Sequence, residues 1–281
     1  MRLRVLCEIW KNGKQTGTLP ETQAQLFQSY VEYFYRLHQE QKEIDLTQQK
    51  RKQLNRKLEE LAREGMERDR DHFCFTESEV TAQLEEDEFL IATQKLGWLT
   101  PIGKTDHPEE NVYAFWHPTF QEYFAACAIN DWDFFLPRQH INRPISGKQY
   151  RIFENKWQQV YLLWLGRKEK SLESQKDQSL QALVRFESGI ECEIDFYKLR
   201  GSLLALMALE EFKDCSIKTT IINDISNYLT DNSQVLLRGK IVGALRAIRS
   251  EEAAILLIMA MKDEDKNVRK KASEALEKIG S

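Results

Sequence analysis

No apolar run in this chain is long enough to span a bilayer. The longest, Ala253–Met261, falls well short of the roughly 20 residues that a membrane helix needs. Arg2 and Arg4 are followed too soon by Glu8 and Lys11 for a secretory leader. Cysteine is scarce and scattered: Cys7, Cys74, Cys127, Cys192 and Cys215 are odd in number and never form a C-x-x-C pair. That excludes a disulfide framework and a zinc-ribbon site, and predicts reduced thiols in a cytoplasmic chain. With 12 Gly and 6 Pro in 281 residues, turn-rich all-β folds and low-complexity linkers are disfavoured. The net charge of −4 gives no general pull toward nucleic acid or anionic membrane.

Catalytic motifs are missing too. Gly103-Lys104-Thr105 imitates the end of a phosphate-binding P-loop, but the glycine required five positions earlier is Trp98. Gly97 lies one position too far away, and a turn rather than a helix is expected to follow. No run of four aliphatic residues ends in aspartate, so a Walker B strand is absent as well. The five histidines, His38, His72, His107, His117 and His140, have no Ser, Asp or Cys partner at a telling distance in sequence. The expectation is a non-enzymatic chain with no catalytic residue, no metal site and no cofactor of its own.

What the chain does have is helix-forming sequence, 42% apolar and 30% charged, long enough for one large or two modest domains. Its most aromatic stretch is Tyr113–Ile129, YAFWHPTFQEYFAACAI. Val112, Tyr113, Phe115 and Trp116 read as a strand. Pro118 and the spacing of Thr119 and Glu122 then predict a helix start with a capping box. Phe120, Tyr123, Phe124 and Cys127 supply its apolar side. His117 falls at the junction, beside helix N–H groups that lack intrahelical partners, where an anion such as phosphate can bind. Two readings stand: a histidine that caps the helix, and a phosphate ligand.

Taken in order, residues 1–10 suggest a helix. Residues 11–19 form a polar loop, and Thr18, Pro20 and Glu21 open a second helix with Phe27, Tyr30, Val31, Phe34 and Leu37 on its stripe. Residues 38–52 read as a polar loop before an amphipathic helix carrying Leu54, Leu58 and Leu61. Thr76-Glu77-Ser78-Glu79 is a capping box. The helix with Phe89, Leu90, Thr93 and Leu96 stops at Gly97. Residues 98–101 and 112–116 pair as a two-stranded wing. The helix before the wing opens Glu85-Glu86-Asp87-Glu88, which repels phosphates and argues against DNA binding. Trp132, Phe134 and Phe135 pin a connector broken by Pro137, Pro144 and Gly147. Beyond it the chain is helical and repeats, Arg200-Gly201, Arg238-Gly239 and Arg269 each leading the same apolar pattern, at spacings of 38 and 31. The helix carrying Trp157, Tyr161 and Trp164 is expected to pack on the first repeat. The fold class expected is mainly α. A partial helical domain (1–46) and a winged helix with a small β-hairpin (47–131) are followed by a connector (132–149) and an α-solenoid (150–281).

Phe115-x-His117-x-x-Phe120-Gln121-Glu122-Tyr123-Phe124-Ala125-Ala126 resembles the motif that closes the winged-helix domain of NACHT-family STAND NTPases. Leu6-Cys7, Leu19-Pro20 and the Leu26–Tyr33 segment resemble that family's small helical domain, without the proline that precedes it. Asp263–Arg269 with Ala275-Leu276 and Ile279-Gly280 resembles short bacterial HEAT repeats, whose Asp turn and Arg stack between units. The resemblance implies a regulatory and sensing fragment of a NACHT–HEAT signalling NTPase, linked to bacterial defence and lacking the nucleotide-binding core. It gives His117 contact with a nucleotide phosphate once a partner domain supplies ADP or ATP, and makes a protein, such as a separate NACHT core, the expected partner. On that view the helices at 1–10 and 21–37 expose apolar residues such as Leu3, Phe27 or Phe34. The alternatives are a stand-alone HEAT-repeat interaction scaffold and a bilin-lyase-like HEAT protein.

Overall fold

The computed structural model describes residues 20–106, 108–191, 195–230, 234–248 and 250–279. Expectations for residues 1–19, among them Leu3, Leu6 and Cys7, lie outside that set, as do His107, Cys192 and Gly280. The protein is mainly helical with one small sheet. It divides into two units. One holds the described residues up to Asn130 together with Glu154–Lys168, the other Asp131–Phe153 and the described residues from Glu169 onward.

The first unit begins with α1 (Gln23–Glu40), capped by Thr22, whose side chain accepts from the Gln25 amide. The start is therefore later than Thr18 and Glu21 suggest. Phe27 and Tyr30 are turned inward and buried, and Phe34 is half-buried, so α1 does not present Phe27 as an open apolar face. The Phe27 ring packs edge-on to Phe120 at 5.1 Å and parallel to Tyr123 at 5.6 Å. Such pairs add about 0.5–1.5 kcal/mol each beyond the area they bury.

Helix α2 (Gln48–Glu67) starts at the Thr47 cap, earlier than the polar residues 48–52 suggest. Gln, Lys and Arg are good helix formers, so a solvated first turn and a half needs no apolar residue once it is capped. Strand β1 (Phe75–Thr76), α3 (Glu77–Leu84), α4 (Asp87–Lys95), β2 (Leu99–Lys104) and β3 (Asn111–Phe115) follow in winged-helix order. The expected two-stranded wing is a three-stranded antiparallel sheet ordered β1-β3-β2, with Phe75 opposite Tyr113 and Leu99 opposite Phe115. The capping box before α3 forms as its sequence predicts. Gly97, at φ +70°, takes the left-handed turn after α4 that a Cβ would strain.

Helix α5 (Pro118–Ala128) is the hub of this unit and packs on α2. Their approach is close enough that a Cβ on Gly65 would lie 2.5 Å from the Phe75 ring and 2.8 Å from Gln121 Nε2. Gln121 is fully buried and donates to the His72 carbonyl at 2.6 Å. Helix α6 (Asn155–Leu165) also packs on α5 and belongs to this unit, not to the repeats. The reason lies in polar anchors: the Trp164 indole donates to the Ile129 carbonyl at 3.0 Å. Arg167 donates to the Ala126 and Ile129 carbonyls at 2.9 and 2.7 Å. Together they tie α6 and Arg167, just beyond it, to the Ala126 and Ile129 carbonyls at the end of α5.

The second unit opens with a 3₁₀ turn, Trp132–Phe134, in which Trp132 is buried, with Phe135 buried just after it. The connector is thus packed down, as its aromatics predict. The imidazole of His140 stacks on Phe186 at 4.3 Å. Its Nδ1 meets the Tyr150 hydroxyl at 2.8 Å and its Nε2 the Glu187 carbonyl at 2.9 Å. Helices α7 (Glu173–Val184), α8 (Phe196–Ala208), α9 (Lys218–Thr230), α10 (Val235–Leu245), α11 (Glu251–Ala260) and α12 (Lys266–Ile279) complete it. Each packs on its successor, α9 also packs on α11 and α10 on α12, which is a two-layer stack of helix pairs. Between α10 and the turn before α12, the Arg238 fork grips Asp263 through Nε at 2.7 Å and NH2 at 3.1 Å. Arg269 closes the same turn by donating to the Asp263 and Glu264 carbonyls at 2.7 and 2.8 Å.

Candidate functional site

The candidate site is the start of α5, where β3 hands over to the helix. Pro118 occupies the first helical position, and its ring favours an extended residue before it. His117 has that conformation, at φ −148° and ψ 142°, and is the cap. Thr119 is therefore inside the helix, and the expected capping box with Glu122 gives way to a histidine cap. The Nδ1 of His117 accepts from the Thr119 amide at 3.1 Å. An Nδ1 that accepts carries no hydrogen, so the ring hydrogen is on Nε2, a donor on an exposed side chain.

This capping alters what the helix start can offer. Pro118 has no N–H. The Thr119 N–H bonds to His117 Nδ1, and the Phe120 N–H bonds to the His117 carbonyl at 2.9 Å. The unpaired amides expected beside His117 are thus used at those positions, and the outward Nε2–H is what His117 has left for an anion. Trp116 is 43% exposed and lies parallel to the Tyr30 ring at 6.3 Å. Sequence reads Trp116 as part of the strand; it lies just past β3, and its amide extends the wing by donating to the Trp98 carbonyl at 3.1 Å.

One turn into α5, burial pushes the Glu122 carboxyl up to about 6, partly offset by a hydrogen bond from the Thr119 side chain. In sequence Glu122 reads as a capping partner. Its perturbed ionisation depends on packing from outside the motif and leaves no signal there.

The other candidates settle into structural roles. Gly103-Lys104-Thr105 lies at the end of β2 and in the turn to β3, with Lys104 paired to Glu109 at 2.6 Å. Strand β3 follows it, so it lies at the wing's tip. At the acidic start of α4, Lys50 pairs with Glu88, and Lys57 with Glu85 at 3.0 Å. His38 pairs with Glu43, and His72 lies against the Phe73 ring. Among the described residues Cys74, Cys127 and Cys215 form no disulfide, and burial pushes the Cys215 thiol up. Among the described residues no group of three or more His, Cys, Asp or Glu side chains is placed to hold a metal ion. No described helix is long and apolar enough to cross a membrane.

Compared with known proteins, the chain matches no family model and no curated sequence, so the meaning of the site rests on its own residues.

Proposed function

We propose that the chain is the regulatory and partner-sensing part of a NACHT-type signalling NTPase, acting through protein contact and not through chemistry of its own. The observation that carries this reading is His117: an exposed imidazole held by its own cap, with Nε2–H turned outward at a helix start. Such a group is suited to one hydrogen bond to a phosphate brought by another protein. The helix pairs of the second unit would supply the sensing surface. The nucleotide is ADP or ATP held by that partner, which places the working protein in the cytoplasm.

The self-capped start of α5 favours a second reading, a stand-alone helical-repeat scaffold in which His117 is a cap and nothing more. Affinity capture from the source cell with His117→Asn as the variant separates the two. Asparagine is also a good cap and keeps the fold, but it lacks the imidazole's reach. The first reading expects capture of a P-loop NTPase, strengthened by ADP in the wild type and not in the variant. Capture of other proteins only, or tight ATP binding by this chain alone in calorimetry, overturns it.

A further inference from the structure

The second unit leaves one face unfinished by its own residues. The outward stripe of α10 is Leu236, Lys240 and Gly243, all exposed and spaced along one side of the helix. Leu236 is 85% exposed, more than any other large apolar side chain among the described residues. One turn on, the Lys240 ammonium lies 5.9 Å from the Phe196 ring at the start of α8, and Phe196 is itself 58% exposed. Lys271 of α12 reaches the same place, with Nζ 3.4 Å from where a Cβ on Gly239 would sit.

The charge here is one-sided. From Gln234 to Ser250 the sequence holds Arg238, Lys240, Arg246 and Arg249 and no carboxylate, in a chain of net charge −4. Arg238 is spent inward on Asp263. Among the described residues no carboxylate pairs with Lys240 or with Lys271. Single exposed apolar residues are ordinary on a protein surface. Here an exposed leucine, an exposed phenylalanine and two ammonium groups without a carboxylate partner lie along neighbouring positions, and like charges placed near each other repel.

We propose that the face formed by Phe196, Leu236, Lys240 and Lys271 docks an acidic amphipathic peptide segment of a protein partner. A carboxylate would lie between the two lysines, and an apolar side chain against Leu236 and Phe196. Leu236 and Lys240 are one helical turn apart, about 6 Å, so the ligand must carry its apolar and acidic groups within one turn of helix. Nucleic acid fits less well. The face offers two ammonium groups, whereas a phosphate backbone draws its affinity from several neutralised positions in a row.

This inference deepens the partner-sensing half of the function proposed above and makes no use of His117. The test uses the full chain and fluorescence anisotropy with a labelled peptide of Leu-Glu-Glu-Leu repeats. The expected result is saturable binding that weakens with salt. Affinity should fall at least about tenfold in Lys240→Glu and in Leu236→Ser, and stay unchanged in Lys104→Glu on the wing. A Ser-Glu-Glu-Ser peptide should bind at least about tenfold more weakly than the parent. Both altered α10 side chains are exposed, so circular dichroism should show an unchanged fold. The idea is overturned by no saturation up to about 1 mM peptide, or by full binding in both α10 variants. Equal competition by a single-stranded oligonucleotide, or self-association that Lys240→Glu abolishes, reassigns the face and likewise overturns it. Failure here leaves NTPase capture and the His117→Asn result untouched, so the two proposals fail separately.

Discussion

Glu122 carries a carboxyl whose ionisation the fold resists, and its replacement by glutamine should stabilise the first unit in a pH-dependent way. Burial raises its pKa from 4.5 to about 6, against a smaller opposing hydrogen bond from Thr119. That difference corresponds to about 2 kcal/mol. The sign follows from linkage. Because the folded pKa lies above the unfolded one, the group's stabilising share is complete below about pH 4.5 and is lost as pH rises through about 6. Glutamine keeps the shape and the acceptor oxygen and never ionises. Urea unfolding followed by tryptophan fluorescence suits the measurement, since Trp98, Trp116, Trp157 and Trp164 all belong to the first unit. At about pH 4 the two proteins should be equally stable, and at about pH 7.5 the variant should lead by about 2 kcal/mol. Every other titratable group is shared by the two proteins, so its contribution cancels in the difference. A gap that does not change with pH, or a variant that is weaker at pH 7.5, refutes the argument.

Two further perturbations test the packing inside each unit. Arg238 and Asp263 are buried against each other, so Arg238→Ala or Asp263→Ala should destabilise the second unit by about 3–5 kcal/mol. The double change to Arg238→Met with Asp263→Leu should recover most of that loss, which hydrogen exchange in α10 and α12 would read. Gly65→Ala should cost about 1–3 kcal/mol in the same urea assay, because its Cβ would meet the closed-in Phe75 ring.

The parts of this fold that were legible in sequence are those whose signal is local. Thr76 and Glu79 satisfy one another across a single turn, and the Gly97 stop needs only its own positive φ. The Arg238 and Arg269 repeats show because the same apolar pattern follows each arginine, although Arg238 grips the Asp263 carboxylate and Arg269 the carbonyls of the same turn. What was not legible depends on distant partners. Strand β1 is two residues long and too short to show alternation, so its pairing with β3 emerges only in the folded sheet. Helix α6 looks like any apolar helix before a repeat. Its place in the first unit is decided by Trp164 and Arg167 meeting the carbonyls that end α5. The site shows the same division. The strand-to-helix junction and His117 could be read directly, whereas the raised Glu122 carboxyl and the used amides of α5 could not.

The two readings of His117 are joined by the chemistry of the imidazole ring. A helix cap needs an acceptor, and a phosphate ligand needs a donor. Neutral imidazole offers one of each, on opposite sides of the ring. By giving Nδ1 to the Thr119 amide, the fold fixes the hydrogen on Nε2 and holds the ring in one orientation. Capping therefore does not compete with ligand contact; it pre-orients the donor, which lowers the ordering cost of forming a single hydrogen bond later. Asn, Ser and Asp would all cap here at least as well. Ionised Asp has no donor left, and Asn and Ser keep a donor only on a side chain too short for the imidazole's reach. Pro118 completes the arrangement: it brings no N–H to the helix start, and its fixed φ sets where the cap must fall.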